Sequence, residues 1–149
     1  ATDAHNAKLA ADGNMTEGLK IVGEGNSNEE HFILFRDWMR VCYKRDVQSM
    51  VKMAAEFNSG GRENMKRFLL YSLRVTRYCA LNNLGLSDYV NSDGEEMSFI
   101  NAFTPYINPK NVHLFAEEFN DSVYHIERNA NGLILFLDLS LKAMFWLRM

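Results

Sequence analysis

Few side chains in this 149-residue sequence have the types and spacings that do chemistry. His5, His31, His113 and His125 are scattered. None sits in a His-x-x-x-His or Glu-x-x-His pattern, and Cys42 and Cys79 form no paired-cysteine motif, so the sequence offers no metal site. Ser122, His125 and Glu127 are the residue types of a nucleophilic triad, but on one helix they point in different directions and cannot converge. His113 and Glu117 lie one turn apart, a spacing that suits a solvated pair. Gly23-Glu24-Gly25 and Gly60-Gly61 lack the Gly-x-x-x-x-Gly-Lys pattern that cradles phosphate, and neither follows a strand. Arg62, Lys66, Arg67, Arg74 and Arg77 are basic, but no array of exposed aromatics accompanies them and the whole chain carries a formal charge of -3. They read as a solvated helix face. The expectation is a chain with no catalytic, cofactor-binding or metal-ligating residues and no direct nucleic-acid contact.

The elements that would carry these side chains are all helical. Residues 4–11 form a short helical run closed at Asp12-Gly13, and Asn14 with Glu17 reads as a capping box for a second, reaching residue 22. The Gly-rich polar stretch at residues 23–27 then reads as a linker, which places a boundary between residues 1–26 and a main body at residues 27–149. Ser27 with Glu30 is another capping box, heading a helix to about residue 44 in which Phe32, Phe35, Trp38, Met39 and Cys42 share one face. Asp46 heads the next helix, through Met50, Met53, Ala54 and Phe57, and Asn58-Ser59-Gly60-Gly61 stops it. A long helix follows over residues 62–83, with Met65, Phe68, Leu69, Ser72, Leu73, Thr76, Cys79 and Ala80 inward. Residues 84–94 have loop composition, and residues 95–103 make a short helix ended by Pro105. Asn108-Pro109 is the expected start of a helix to about residue 128, and a last helix runs from about residue 131 to the end.

That last helix sets the sharpest constraint. Over residues 133–147 only Asp138, Ser140 and Lys142 are polar, so its apolar surface runs almost all the way round and requires cover on nearly every side. It is either the central element of the bundle or is covered partly by another subunit. Aromatic and Arg side chains dominate interface hot spots, which makes Phe145, Trp146 and Arg148 the candidate partner-interface residues.

Composition sets the outer limits. A chain of this length buries roughly 70% of its unfolded surface without metals or disulfides. It is 47% hydrophobic with two prolines, which suits a globular protein. Two cysteines in apolar helical sequence suggest buried free thiols in a reducing compartment, and the acidic balance disfavours anionic membranes. Residues 1–11 lack a basic segment followed by an apolar one, and residues 133–147 fall short of the roughly 20 apolar residues that span a bilayer, so a cytoplasmic location is expected. The first residue is not Met, and the expectation is a piece of a longer protein.

Three stretches resemble the delta-prime subunits of bacterial DNA polymerase III clamp loaders, especially in their Bacteroides-type form. They are Phe35-Arg36-Asp37-Trp38-Met39-Arg40-Val41-Cys42-Tyr43, Gly61-Arg62-Glu63-Asn64-Met65-Lys66-Arg67-Phe68-Leu69-Leu70-Tyr71, and the run from Glu118 through Tyr124-His125-Ile126-Glu127-Arg128 into Phe136-Leu137-Asp138-Leu139-Ser140-Leu141-Lys142. Gly13-Asn14-Met15-Thr16-Glu17-Gly18-Leu19 is similar to the start of the lid helix of clamp-loader ATPases, with Thr16 where an ATP-hydrolysing subunit holds a phosphate-sensing Arg. A hydroxyl cannot supply the cationic fork of Arg, which suits a non-hydrolysing stator subunit. The resemblance implies an all-α collar bundle at residues 27–149, preceded by a helical remnant of the lid domain at residues 1–26. It implies a non-catalytic oligomerisation role in DNA replication, with no cofactor, and the gamma/tau and delta collar domains as partners. The competing expectation is a free-standing helical bundle that binds a partner helix or a small apolar ligand. A third, a helical enzyme of unknown chemistry, has no converging acid, base and nucleophile to carry it.

Overall fold

The computed structural model describes the backbone of residues 18–149, with side chains from residue 28 onward. Six α-helices make up this part of the chain: α1 (Gly18–Lys44), α2 (Val47–Ser59), α3 (Arg62–Asn83), α4 (Gly94–Phe103), α5 (Val112–Glu127) and α6 (Gly132–Trp146). Single 3-10 turns lie at Ser87–Tyr89 and Thr104–Tyr106, and there is no strand among the described residues. The expected all-α fold is what the described residues adopt. The helices expected within residues 4–11, and most of the second at residues 14–22, lie outside the described residues.

One expectation is corrected at once. The Gly-rich stretch at residues 23–27 is not a linker between helices; α1 passes through it, and Ser27 is an interior position instead of a cap. Each glycine in a helix costs about 1 kcal/mol relative to alanine. Stopping and restarting costs more, because a new helix needs its own unfavourable nucleus. The boundary drawn at residues 26/27 therefore falls inside continuous helix.

Two tight corners set the topology, and both use a non-glycine residue in the left-handed conformation. Arg45 (φ 60°) ends α1, with Asp46 N–H donating back to Val41 O at 3.2 Å. Asp46 then caps α2, its carboxylate accepting from Ser49 N–H at 3.2 Å and from the Ser49 hydroxyl at 2.7 Å. Asn129 (φ 64°) ends α5 in the same way, with Ala130 N–H donating to His125 O at 3.0 Å, and Asn131 caps α6 through Ile134 N–H at 3.1 Å. Gly61, at φ 90° and ψ 163°, is the hinge between α2 and α3, in a region of backbone space essentially reserved for glycine.

The start of α5 also differs from expectation. Asn108-Pro109 opens a turn three residues before the helix instead of the helix itself. Asn108 accepts from Lys110 N–H (2.9 Å) and Asn111 N–H (3.2 Å), and Asn111 becomes the residue that precedes Val112. Asn111 is fully buried. Its carboxamide donates to Tyr106 O (2.8 Å) and Trp146 O (2.7 Å) and accepts from Asn108 N–H (2.9 Å). An amide side chain is favoured in turns because it supplies donors and acceptors together.

The helices pack as a bundle in which α3 lies along α5, α2 along α6, and α1 reaches α2, α3 and α6. Trp38 of α1 stands at the centre with no solvent exposure, and the rings of Phe35, Phe57, Phe68, Phe119 and Phe136 surround it with centroids 5.5–6.3 Å away. Each such fully buried side chain contributes roughly 1.5–3 kcal/mol of transfer free energy. The Trp38 indole N–H donates to Ser140 Oγ at 2.7 Å, and Ser140 in turn donates to Phe136 O at 2.7 Å, so the one polar atom in this aromatic cluster is satisfied. The inward face of α3 contains Tyr71 and Val75 as well as the expected residues, whereas Leu73 and Ala80 are only half-buried.

Candidate functional site

The groups that could do chemistry do not gather. Ser122 is buried between helices while His125 and Glu127 are exposed on the surface of α5, as their spacing on one helix requires. His113 and Glu117 are both exposed, and His5 lies outside the described residues. Among the described residues no three His, Cys, Asp or Glu side chains come close enough to hold a metal ion. No described helix is long and apolar enough to cross a membrane.

The titratable groups that do shift are explained by packing. Cys42 and Cys79 are free thiols, both buried, and burial pushes each up to about 12, far from the thiolate range that makes a nucleophile. His31 is buried against Phe68 and Tyr71. Burial holds its imidazole below the ordinary value, partly opposed by its hydrogen bond to Asn64 at 3.4 Å. Tyr71 is held above its ordinary value by burial and by Glu96, whose carboxylate accepts its hydroxyl at 2.6 Å. On the surface, Lys142 bridges Asp138 (2.9 Å) and Glu118 (3.2 Å), tying α6 to α5, and these partners raise its ammonium.

The basic side chains of α3 are largely engaged. Arg62 donates to Asn129, Lys66 pairs with Glu127 at 3.3 Å, and the Arg74 guanidinium lies 5.1 Å from the Tyr71 ring centroid. The Arg62 and Lys66 contacts join α3 to the corner between α5 and α6, and the Arg74 contact lies within α3 itself.

What remains is a surface on α6. At roughly 100° per residue, Phe136, Leu139, Ser140, Ala143 and Leu147 project into the bundle, and all five are buried. The opposite line of the same helix carries Ile134 (66% exposed), Leu141 (37%) and Phe145 (61%), with the Asp138–Lys142 ion pair among them. An ordinary surface helix puts polar residues on that line.

The three sequence-derived interface residues separate. Phe145 faces outward. Trp146 turns back, half-buried, with its ring in T-shaped contact with Phe115 at 5.2 Å. Arg148 is exposed but anchored, its guanidinium 4.4 Å from the Tyr43 ring centroid and hydrogen-bonded to Tyr43 O. Ile134 and Leu141 were not singled out from sequence, because in a helix this apolar the outward line can be told from the inward one only by knowing where α2 and α5 pack. No protein-family model matches the chain, and no curated protein or solved structure proved similar to it.

Proposed function

We propose that this chain is an assembly module that docks its α6 face against a neighbouring subunit, of the kind that forms the collar of a bacterial clamp loader. On this reading it is the carboxy-terminal oligomerisation domain of a delta-prime subunit. It holds the subunit ring in place while a sliding clamp is loaded in DNA replication, and gamma/tau and delta collar domains are its partners. The observation that carries the assembly reading is the outward apolar line of Ile134, Leu141 and Phe145 on the most apolar helix of the chain. The identity of the partner is supported by the likeness of residues 35–43, 61–71 and 118–142 to delta-prime sequences.

Exposed apolar side chains are dispensable to the isolated fold and valuable once covered. Phe145→Ala and Leu141→Ala should therefore keep the melting temperature of the parent. Each should weaken association with purified gamma/tau collar domains by about 2 kcal/mol, roughly 30-fold. Calorimetric titration of parent and variants reads this directly. Parent chain that binds no collar domain, or variants that bind as well as the parent, would overturn the reading.

A further inference from the structure

A second surface feature lies away from the outward line of α6. Between the last turns of α1 and the helix α4 runs an open groove of about 300 Å³. Met39, Phe99, Phe103 and Leu147 line it, and Tyr43 and Tyr106 meet edge to face along it at 5.3 Å. Arg40 and Lys44 stand in its lining, and Arg148 adds a third cation over the Tyr43 ring. No carboxylate lines the groove. Arg40 and Lys44 form no ion pair with an acidic side chain among the described residues. In a chain of net charge -3 this local excess of unpaired cations beside apolar surface is a complementarity waiting for an anion. Proximity to the α1 C-terminus favours cations there, but it does not account for the adjoining aromatic trench.

We propose that this groove docks a short acidic peptide segment of a partner protein. One aromatic or branched apolar side chain of that segment sits on Met39, Phe99 and Phe103, and its carboxylates pair with Arg40 and Lys44. The spacing fits. Positions 40 and 44 are one helical turn apart, about 6 Å, close to the roughly 6.5–7 Å between alternate residues of an extended strand. Two acidic residues at i and i+2 of an extended peptide can therefore address both cations from one side. This inference rests on the groove alone and stands or falls independently of the α6 interface.

The test is fluorescence anisotropy with a labelled ten-residue peptide that carries alternating aspartates and one phenylalanine. Two control peptides have lysine in place of the aspartates or serine in place of the phenylalanine. The aspartate peptide should bind and should weaken at least tenfold on each of three changes: raising salt from low to a few hundred millimolar, Arg40→Glu with Lys44→Glu, and loss of the phenylalanine. Ala102→Trp, which fills the groove from an exposed position, should abolish binding with the melting temperature retained. Absence of binding at millimolar peptide, equal binding of the lysine peptide, or indifference to both protein variants overturns the proposal. So does binding to phosphatidylserine vesicles with none to the peptide, which would assign the cations to a membrane surface.

Discussion

Ser140→Ala is the most informative single substitution in the core. It deletes one oxygen and leaves the Trp38 indole N–H, fully buried and 2.7 Å from that oxygen, with no acceptor. An orphaned buried donor costs about 1–3 kcal/mol. Alanine regains up to roughly 0.5 kcal/mol as the better helix former, and Phe136 O, to which Ser140 donates, remains a helix carbonyl. The net expectation is a loss of about 1–2 kcal/mol, or roughly 3–8 °C in melting temperature for a chain of this size. Trp38→Phe removes the donor instead. In that background Ser140→Ala should be close to neutral, so the double-mutant cycle should show a coupling of about 1 kcal/mol or more. Urea denaturation of the four proteins, followed by circular dichroism, measures it. If Ser140→Ala costs the same with and without the indole, the bond is not what stabilises this contact and the reasoning is refuted.

Four further outcomes follow from the same structure. Gly61→Ala places a Cβ in open space but forces alanine to φ 90°, so it should lose about 1–3 kcal/mol by thermal denaturation purely through the backbone; an unchanged melting temperature would show that the α2–α3 corner is not as described. Trp146→Ala, removing a half-buried ring, should cost about 2 kcal/mol of folding stability, somewhat under the range for a fully buried aromatic, and a variant as stable as the parent would place that ring outside the core. At pH 8 both thiols should resist Ellman's reagent in the native protein and react fully in guanidinium, because the folded thiols titrate only at about 12; rapid native labelling would contradict their burial. His31 is held below its unfolded value, so protons bind the unfolded chain more readily: its effect is absent above about pH 7, and stability falls as pH drops below the ordinary histidine value of roughly 6.5. His31→Phe should therefore lose less stability than the parent between pH 7 and pH 5, and parallel pH profiles would count against this assignment.

Much of the fold could be read from residue order because local signals were strong and agreed with one another. Asp46 caps α2, Asn58-Ser59-Gly60-Gly61 stops it, and Phe35, Trp38, Met39 and Cys42 recur at the helical period. The errors came where a local signal met a stronger continuous one. Ser27 and the flanking glycines have the composition of a break, yet helix already formed propagates through them more easily than it restarts. Asn108-Pro109 has helix-start chemistry, but the buried carboxamide of Asn111 captures the chain three residues later, and a bond that spans 35 positions to Trp146 leaves no trace in local composition. The candidate surface was half legible: α6 was recognisable as too apolar to lie on an ordinary surface, while which of its residues face outward depended on where α2 and α5 come to rest. The groove beside Arg40 and Lys44 was not legible, because it joins α1 to α4 across some 60 positions.

The three hydrogen bonds of the Asn111 carboxamide bear on how that outer face is presented. The final turn of a helix ordinarily frays, and a partner that binds it must first still it, an ordering cost of roughly 0.5–1.5 kcal/mol for each mobile side chain. Here Trp146 O is held by a buried amide, and Arg148 grips the carbonyl and ring of Tyr43. Phe145 is thus displayed from a turn pinned on both sides, and its entropy of positioning was spent when the bundle folded. Hydrogen exchange at the last amides of α6 should accordingly be slower than at a freely fraying helix end, and the proposed docking partner would meet a surface already in its bound shape.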